Sequence, residues 1–311
     1  MKLIKPSFTI IEQGPGIEGV YKQIELAGRT CYKSEDKITA TSAKEFVDRM
    51  IKSGHGAMLE HGTVYLKATD AYGNDYNGTG AYYVENPLSK YRHESHSRHR
   101  VVGNTTYVTT NLRVLVENDW MSDLEYGCDP TEHHDRRYTV KFTCDRGVTH
   151  EFVRHRVFSF AQESTRYCNY LKDKFGSEVT FILPPWVDAE DPNLFYRRDT
   201  SDNFGDLLTE YYYKATPEGI NSGLNVNAVA SFSMALQASE KLYFSLIENG
   251  WKAQEARAVL PNAVKAELVM TGFVDDWKHF FHLRTPASAH PQARELAQPL
   301  QDEFIKRNYI D

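Results

Sequence analysis

Between Glu151 and Tyr170 the chain reads EFVRHRVFSFAQESTRYCNY. Arg154, His155, Arg156, Gln162, Ser164 and Arg166 stand there among Val157, Phe158 and Phe160. A solvated helix face has no need of Arg-His-Arg beside such neighbours, whereas a site that holds a flat anion does. Val148 to Phe158 has helical character. Successive helical residues point about 100° apart, so Arg154, His155 and Arg156 fan over more than half the circumference. That suits a helix lodged between a ligand on one side and a second chain, or a second part of the ligand, on the other. Beyond Phe158 the helical pattern stops. Gln162 to Arg166 reads as a turn whose backbone N–H groups, with the Ser164 hydroxyl and Arg166, could hold a phosphate. The competing account of the same residues is a set of structural ion pairs around a capped helix end.

Length leaves room for such a site, because 311 residues can bury a sizeable core as one large domain or two smaller ones. Hydrophobic residues make up 41% and charged residues 25%, which is a globular balance. The net charge of −6 argues against a general nucleic-acid binder, which carries a broad basic face. Cys31, Cys128, Cys144 and Cys168 show no CxxC spacing, and charges interrupt the N-terminal apolar residues. No apolar run reaches the eighteen residues or so of a membrane span. The expectation is a reduced, cytoplasmic protein with no membrane contact.

Residues 2–12 read as a strand interrupted by Pro6, and 16–28 as a helix leading into a polar loop at 28–34. Ser42 and Glu45 have the spacing of a capping box for a helix that Gly54 ends. His55 and His61 flank Glu60, but a zinc-protease pair needs two histidines four apart on a helix, so a ligand-facing loop is expected. Residues 63–68, 105–108, 137–144 and 179–183 read as strands and 112–116 as helical. The turn-rich 70–103 segment holds a second Arg-His-Arg, at 98–100, in polar surroundings that indicate a solvated face. His133 and His134 are expected at the surface. Helices are expected at 202–215, 227–249, 251–259, 262–271, 275–284 and 290–305, with Pro261 starting the fourth. The fold class is α+β, a mixed or antiparallel sheet flanked by helices. Residues 1–311 form a single domain, with 70–136 as an inserted excursion.

Arg154-His155-Arg156, seven residues and then Ser164 resembles the signature of flavin-dependent thymidylate synthases, and Arg166-Tyr167 continues the likeness. The triplet at 98–100 lacks it, having Val108 at the place of the serine. The Cys31 region, His55 to His61, Glu255 to Pro261 (EARAVLP) and Trp277 to Arg284 (WKHFFHLR) with His290 and Gln292 are similar to further blocks of that family. The resemblance implies reductive methylation of dUMP to dTMP, with methylenetetrahydrofolate as carbon donor and NADPH-reduced FAD as hydride source, in a homotetramer with shared sites. It implies dUMP contacts from Glu151, Arg154, Gln162, Ser164, Thr165, Arg166, Arg257 and Arg284, the last activating the pyrimidine. It implies FAD contacts from His55, Arg154, His155, Arg156, Gln162 and His279. Ser164 has no evident base, so it is read as a binding group rather than a nucleophile. Glu151 and Gln162 stand where some members carry Gln and Glu, Ala57 where some carry a hydroxyl, and Cys31 where some carry Ser. Extra residues separate Arg284 from His290. Rival readings are a nucleotide- or RNA-binding protein using the same arginines, and a metal hydrolase built on His55, His61, His133 and His134.

Overall fold

The computed structural model describes residues 1–74, 81–172, 176–191, 194 and 228–311. Its strands are β1 Lys2–Ile4, β2 Ser7–Ile11, β3 Thr63–Thr69, β4 Ala71–Asn74, β5 Ala81–Val84, β6 Arg98–Val102, β7 Thr105–Asn111, β8 Arg137–Asp145, β9 Ser159–Gln162, β10 Thr180–Ile182 and β11 Lys265–Phe273. Its α-helices are α1 Gly16–Tyr32, α2 Ser42–Lys52, α3 Gly56–Leu59, α4 Leu112–Glu117, α5 Arg146–Phe152, α6 Ala228–Glu248, α7 Ala253–Ala256, α8 Val274–Arg284 and α9 Pro291–Lys306. The fold is α+β. Among the described residues no helix is long and apolar enough to cross a membrane.

The central sheet is antiparallel, in the order β2-β8-β11-β9. Alternation along β8 sends Val140, Phe142 and Cys144 to one face, where Leu268 and Met270 of β11 join them under Phe152, Trp277, Phe280 and Phe304. On the other face Val269 and Ala161 meet a second core from α1, α2, α3, β3 and β7. A three-stranded sheet, β3-β7-β6, continues that second layer, β1 pairs in parallel with β10, and β4 pairs with β5. A third, smaller core gathers Phe181, Val264, Leu236 and Tyr243 around Cys168.

The strand at 2–12 breaks at Pro6 into β1 and β2, and the strands expected at 63–68, 137–144 and 179–183 appear at those places. Residues 262–271 are not helical. They are the heart of β11, the strand paired on both sides. Ala266, Glu267, Leu268 and Met270 are good helix formers, and five consecutive buried residues, Leu268–Gly272 in the register of the sheet, leave no alternation to read there. Pro261 accordingly opens a turn, its carbonyl accepting from Val264 N–H at 3.0 Å.

Helix α1 runs through the expected loop to Tyr32. Gly28 permits this, since a Cβ there would lie 2.4 Å from Cζ of Phe46 on α2. Lys33, at φ 50°, then turns the chain out. The capping box on α2 does not form. Ser42 Oγ instead accepts from Thr39 N–H (2.9 Å) and donates to Glu25 (2.9 Å). His134 is buried rather than at the surface, with Nε2 3.0 Å from the Leu66 carbonyl and Nδ1 3.1 Å from Thr131 N–H. Residues 251–259 hold only the short α7 and a 3-10 turn at Arg257–Val259. The helix expected at 202–215 lies outside the described residues.

Trp277 is fully buried between α8 and the sheet, and its Nε1–H donates to the Tyr138 carbonyl at 3.2 Å. Trp277→Ala should lower unfolding free energy by about 3–5 kcal/mol, read from urea denaturation of the purified protein. A loss under about 1 kcal/mol would show that this core does not anchor the helices.

Candidate active site

The site runs along β9, an edge strand of only four residues. The Arg-His-Arg segment precedes it and the Glu163–Tyr167 turn follows it. Helix α5 starts on an Asp145 cap, whose Oδ1 accepts from Val148 N–H at 2.7 Å. It ends at Phe152, so Arg154, His155 and Arg156 lie in a turn and not on a helix as expected. The reason is a contact from far along the chain. Arg284, at the end of α8, donates from Nη2 to the Glu151 carbonyl (2.8 Å), from Nη1 to Glu151 Oε2 (2.6 Å) and from Nε to His155 Nε2 (3.0 Å). With the Glu151 carbonyl taken, His155 N–H falls back on Phe152 (3.0 Å), a tighter turn that stops the helix.

His155 is buried against Phe280, 5.1 Å between ring centroids, with His279 6.2 Å away. Burial, then the Arg284 and His279 charges, push its imidazole down to about 4. It is therefore neutral at pH 7, accepting at Nε2 and carrying its proton on Nδ1. The turn separates the triplet. Arg154 and Arg156 are exposed, with no ion pair among the described residues, while His155 points inward.

At the other end of β9, Gln162 Nε2 donates to Thr149 Oγ1 on α5 at 2.9 Å. Ser164 N–H donates to the Cys31 carbonyl at 3.0 Å, tying the turn to the end of α1. Buried Thr165 accepts from Arg257 Nη1 at 3.1 Å, across 92 residues of chain. Arg166 is exposed and lies over Tyr167, 5.3 Å from the ring. Tyr167 packs on Tyr32 at 5.6 Å, and the Tyr32 hydroxyl is 2.8 Å from His55 Nδ1. His61 goes elsewhere, fully buried beside Thr271 at 2.8 Å. Among the described residues no three His, Cys, Asp or Glu side chains group as a metal site.

Two further groups were not apparent in the sequence. Tyr32 and Thr149 became visible only as partners of His55 and Gln162. The second group is an ionic network beneath the turn. Lys265 pairs with Glu163 (2.7 Å) and Glu267 (3.3 Å), and Lys33 pairs with Glu267 (2.7 Å). The signal was the two-residue spacing of Lys265 and Glu267, which shares a face only on a strand. Burial alone would raise the Glu267 carboxyl, but Lys265 and Lys33 outweigh it and hold the group at about 2. A cleft of about 820 Å³ lies elsewhere, lined by Gln13, Pro15, Tyr65, Arg136 and Tyr309, and none of the expected site residues is on its wall. A second, of about 500 Å³, takes only Arg156 from them.

The fold is that of an α+β protein with exposed arginines strung along one sheet edge. The model of the thymidylate synthase complementing protein family matches residues 120–307. The flavin-dependent thymidylate synthase of Pyrococcus furiosus is 30% identical over 207 residues, covering 65% of this chain and 69% of that one. The flavin-dependent thymidylate synthase of Corynebacterium glutamicum is 24% identical over 296 residues, 92% of this chain and 76% of that one. A crystal structure of the UMP/dUMP methylase PolB from Streptomyces cacaoi covers 98% of this chain and 93% of its own at 16% identity, with a TM-score of 0.40, too loose a likeness to argue from. The chain belongs to the thymidylate synthase complementing protein family, the flavin-dependent thymidylate synthases. It is an enzyme of that family, with FAD as its cofactor.

Because the Glu267 carboxyl is held below its ordinary value, its contribution to stability is complete above about pH 4.5 and is lost as pH falls toward about 2. Glu267→Gln should therefore be less stable than the parent by about 1–3 kcal/mol at pH 7 in urea denaturation, with the gap narrowing between pH 4.5 and 3. A gap independent of pH would remove the ionic account of this network.

Proposed function

We propose that the enzyme converts dUMP to dTMP by reductive methylation in the cytoplasm, taking its carbon from methylenetetrahydrofolate and its hydride from FAD reduced by NADPH. Its active form is a homotetramer with sites shared between subunits. The observation that carries the reading is the convergence of Arg284 on Glu151 and His155, which leaves Arg154 and Arg156 turned outward without carboxylate partners among the described residues. Residues 1–311 are read as one unit and 70–136 as a family-variable insertion. The direct pairing of β3 with β7 supports an outgrowth over residues 70–104 alone, since β7 is itself buried in the second core.

The residues present fit a flavin nucleotide. Arg154 and Arg156 supply charge for its diphosphate, and Val157, 65% exposed, supplies apolar surface beside them. Bound FAD supplies the hydride chemistry that no side chain has. His55, Arg154, His155, Arg156, Gln162 and His279 would hold it. Glu151, Arg154, Gln162, Ser164, Thr165, Arg166, Arg257 and Arg284 would hold dUMP. Arg166 and Arg257 bring positive charge to the Ser164–Thr165 turn, which suits a phosphate.

Arg284 would activate the pyrimidine by stabilising negative charge as N3 loses its proton. Three of its five N–H groups are engaged by Glu151 and His155, so its position is fixed while two remain for a ligand. Neutral His155 holds Arg284 without competing for the proton. Among the described residues Ser164 Oγ has no hydrogen-bonded base, which supports a binding role over a nucleophilic one.

The test is FAD- and NADPH-dependent release of dTMP from dUMP and methylenetetrahydrofolate. Arg284→Ala should lower kcat by about 10²–10³ while the protein stays folded. Ser164→Ala should keep measurable turnover with a raised KM for dUMP. Complete loss of turnover in Ser164→Ala with dUMP and FAD binding intact would overturn the assignment of Ser164.

A further inference from the structure

The second Arg-His-Arg, on β6, has the exposed arginines expected of a solvated face, but their partners differ. Arg100 pairs with Asp135 at 2.9 Å. Arg98 instead lies over the Phe273 ring at 4.9 Å, and Arg137 approaches the same ring at 5.4 Å. Both triplets meet in one place, because Arg98, Arg137 and Arg156 line the cleft of about 500 Å³, with Val157, Phe158 and Phe273 beside them.

Carboxylates share that wall, and the charge of Asp276 attracts Arg98 and Arg137 without forming an ion pair with either among the described residues. Glu60 and Glu117 both hold Arg113, at 2.5 and 2.7 Å. Glu94 accepts from His96 N–H (2.9 Å) and Ser97 Oγ (2.7 Å), and Asp276 accepts from Phe273 N–H (3.0 Å). Among the described residues Arg137 reaches uncharged acceptors, the Glu60 carbonyl at 3.1 Å, Thr63 Oγ1 at 3.2 Å and Ser159 Oγ at 3.3 Å, and its buried Nε has no partner there. Burial pushes this guanidinium down to about 10. Among the described residues none of the three arginines has an ion pair. Arg137 is buried and poorly solvated, Arg98 and Arg156 are exposed beside it, and an anion in the cleft would meet all three.

We propose that this cleft binds an anion carrying phosphate or carboxylate groups, with Arg98, Arg137 and Arg156 as its cationic wall and Phe273 and Val157 as its apolar side. The assignment deepens the functional reading above, on which it rests through Arg156. Its distinctive claim is that Arg98, from the inserted segment, is a ligand-binding residue. The anion is either a nucleotide phosphate or the carboxylate of the folate cosubstrate.

Isothermal titration of the full-length protein with inorganic pyrophosphate and with citrate tests it. Arg98→Gln, on an exposed edge strand, should weaken at least one probe about tenfold, while Arg100→Gln binds like the parent. Weakened FAD or dUMP binding in Arg98→Gln alongside the pyrophosphate loss identifies a nucleotide phosphate. A raised KM for methylenetetrahydrofolate alongside the citrate loss identifies the folate carboxylate. Parent-like titrations of both probes in Arg98→Gln, or an equal loss in Arg100→Gln, overturn the proposal. Probe binding needs no turnover, so failure of the parent to form dTMP would strike the functional reading and leave these titrations interpretable.

Discussion

The nine-residue ladder between β8 and β11, from Lys265 opposite Asp145 to Phe273 opposite Arg137, is the constraint on which the rest of the structure depends. Its two faces divide the apolar residues between two cores, each closed by its own helices. Its two ends divide the charge. At one end Lys265 and Glu267 brace the Glu163–Tyr167 turn. At the other, Arg137 and Phe273 lie beside Arg156 in a cleft. Edge strand β9, hydrogen-bonded to β11, spans the gap between these two environments and so fixes the spacing of the site.

Along that edge the charges beneath the Glu163–Tyr167 turn are paired, buried Arg137 meets neutral acceptors, and the arginines of the β9 flanks face outward. Glu163, Glu267, Lys265 and Lys33 compensate one another, which lets a buried ionic network persist at tolerable desolvation. His155 is buried and neutral instead. Arg154, Arg156 and Arg166 face outward without carboxylate partners among the described residues.

Much of this was legible in the chain, and the misses have physical causes. Strand β8 was readable because one of its faces is buried and the other is half-polar, so it alternates cleanly. Strand β11 was not, because it is buried on both sides and built from helix-forming residues. The block from Arg154 to Arg166 stands out through its composition, with arginines set among aromatic residues. Its conformation was misjudged, because the hydrogen bond that ends α5 comes from Arg284. Arg98 is exposed, as its polar surroundings indicate, but the cleft it borders is assembled from β6, β8 and β11 together, which no local pattern encodes. The capping box failed because Ser42 found a better acceptor in Glu25, seventeen residues earlier.

The separation of 133 positions from Glu151 to Arg284 also carries a consequence for biosynthesis. At a synthesis rate of about 5–20 residues per second, the Arg-His-Arg segment exists for on the order of ten seconds before Arg284 is made. Through that interval nothing local stops α5 from running on past Phe152, toward the helix its sequence favours. The turn that orients the triplet is thus among the last features a nascent chain can acquire. A newly made molecule carries its arginines well before it carries the geometry that uses them.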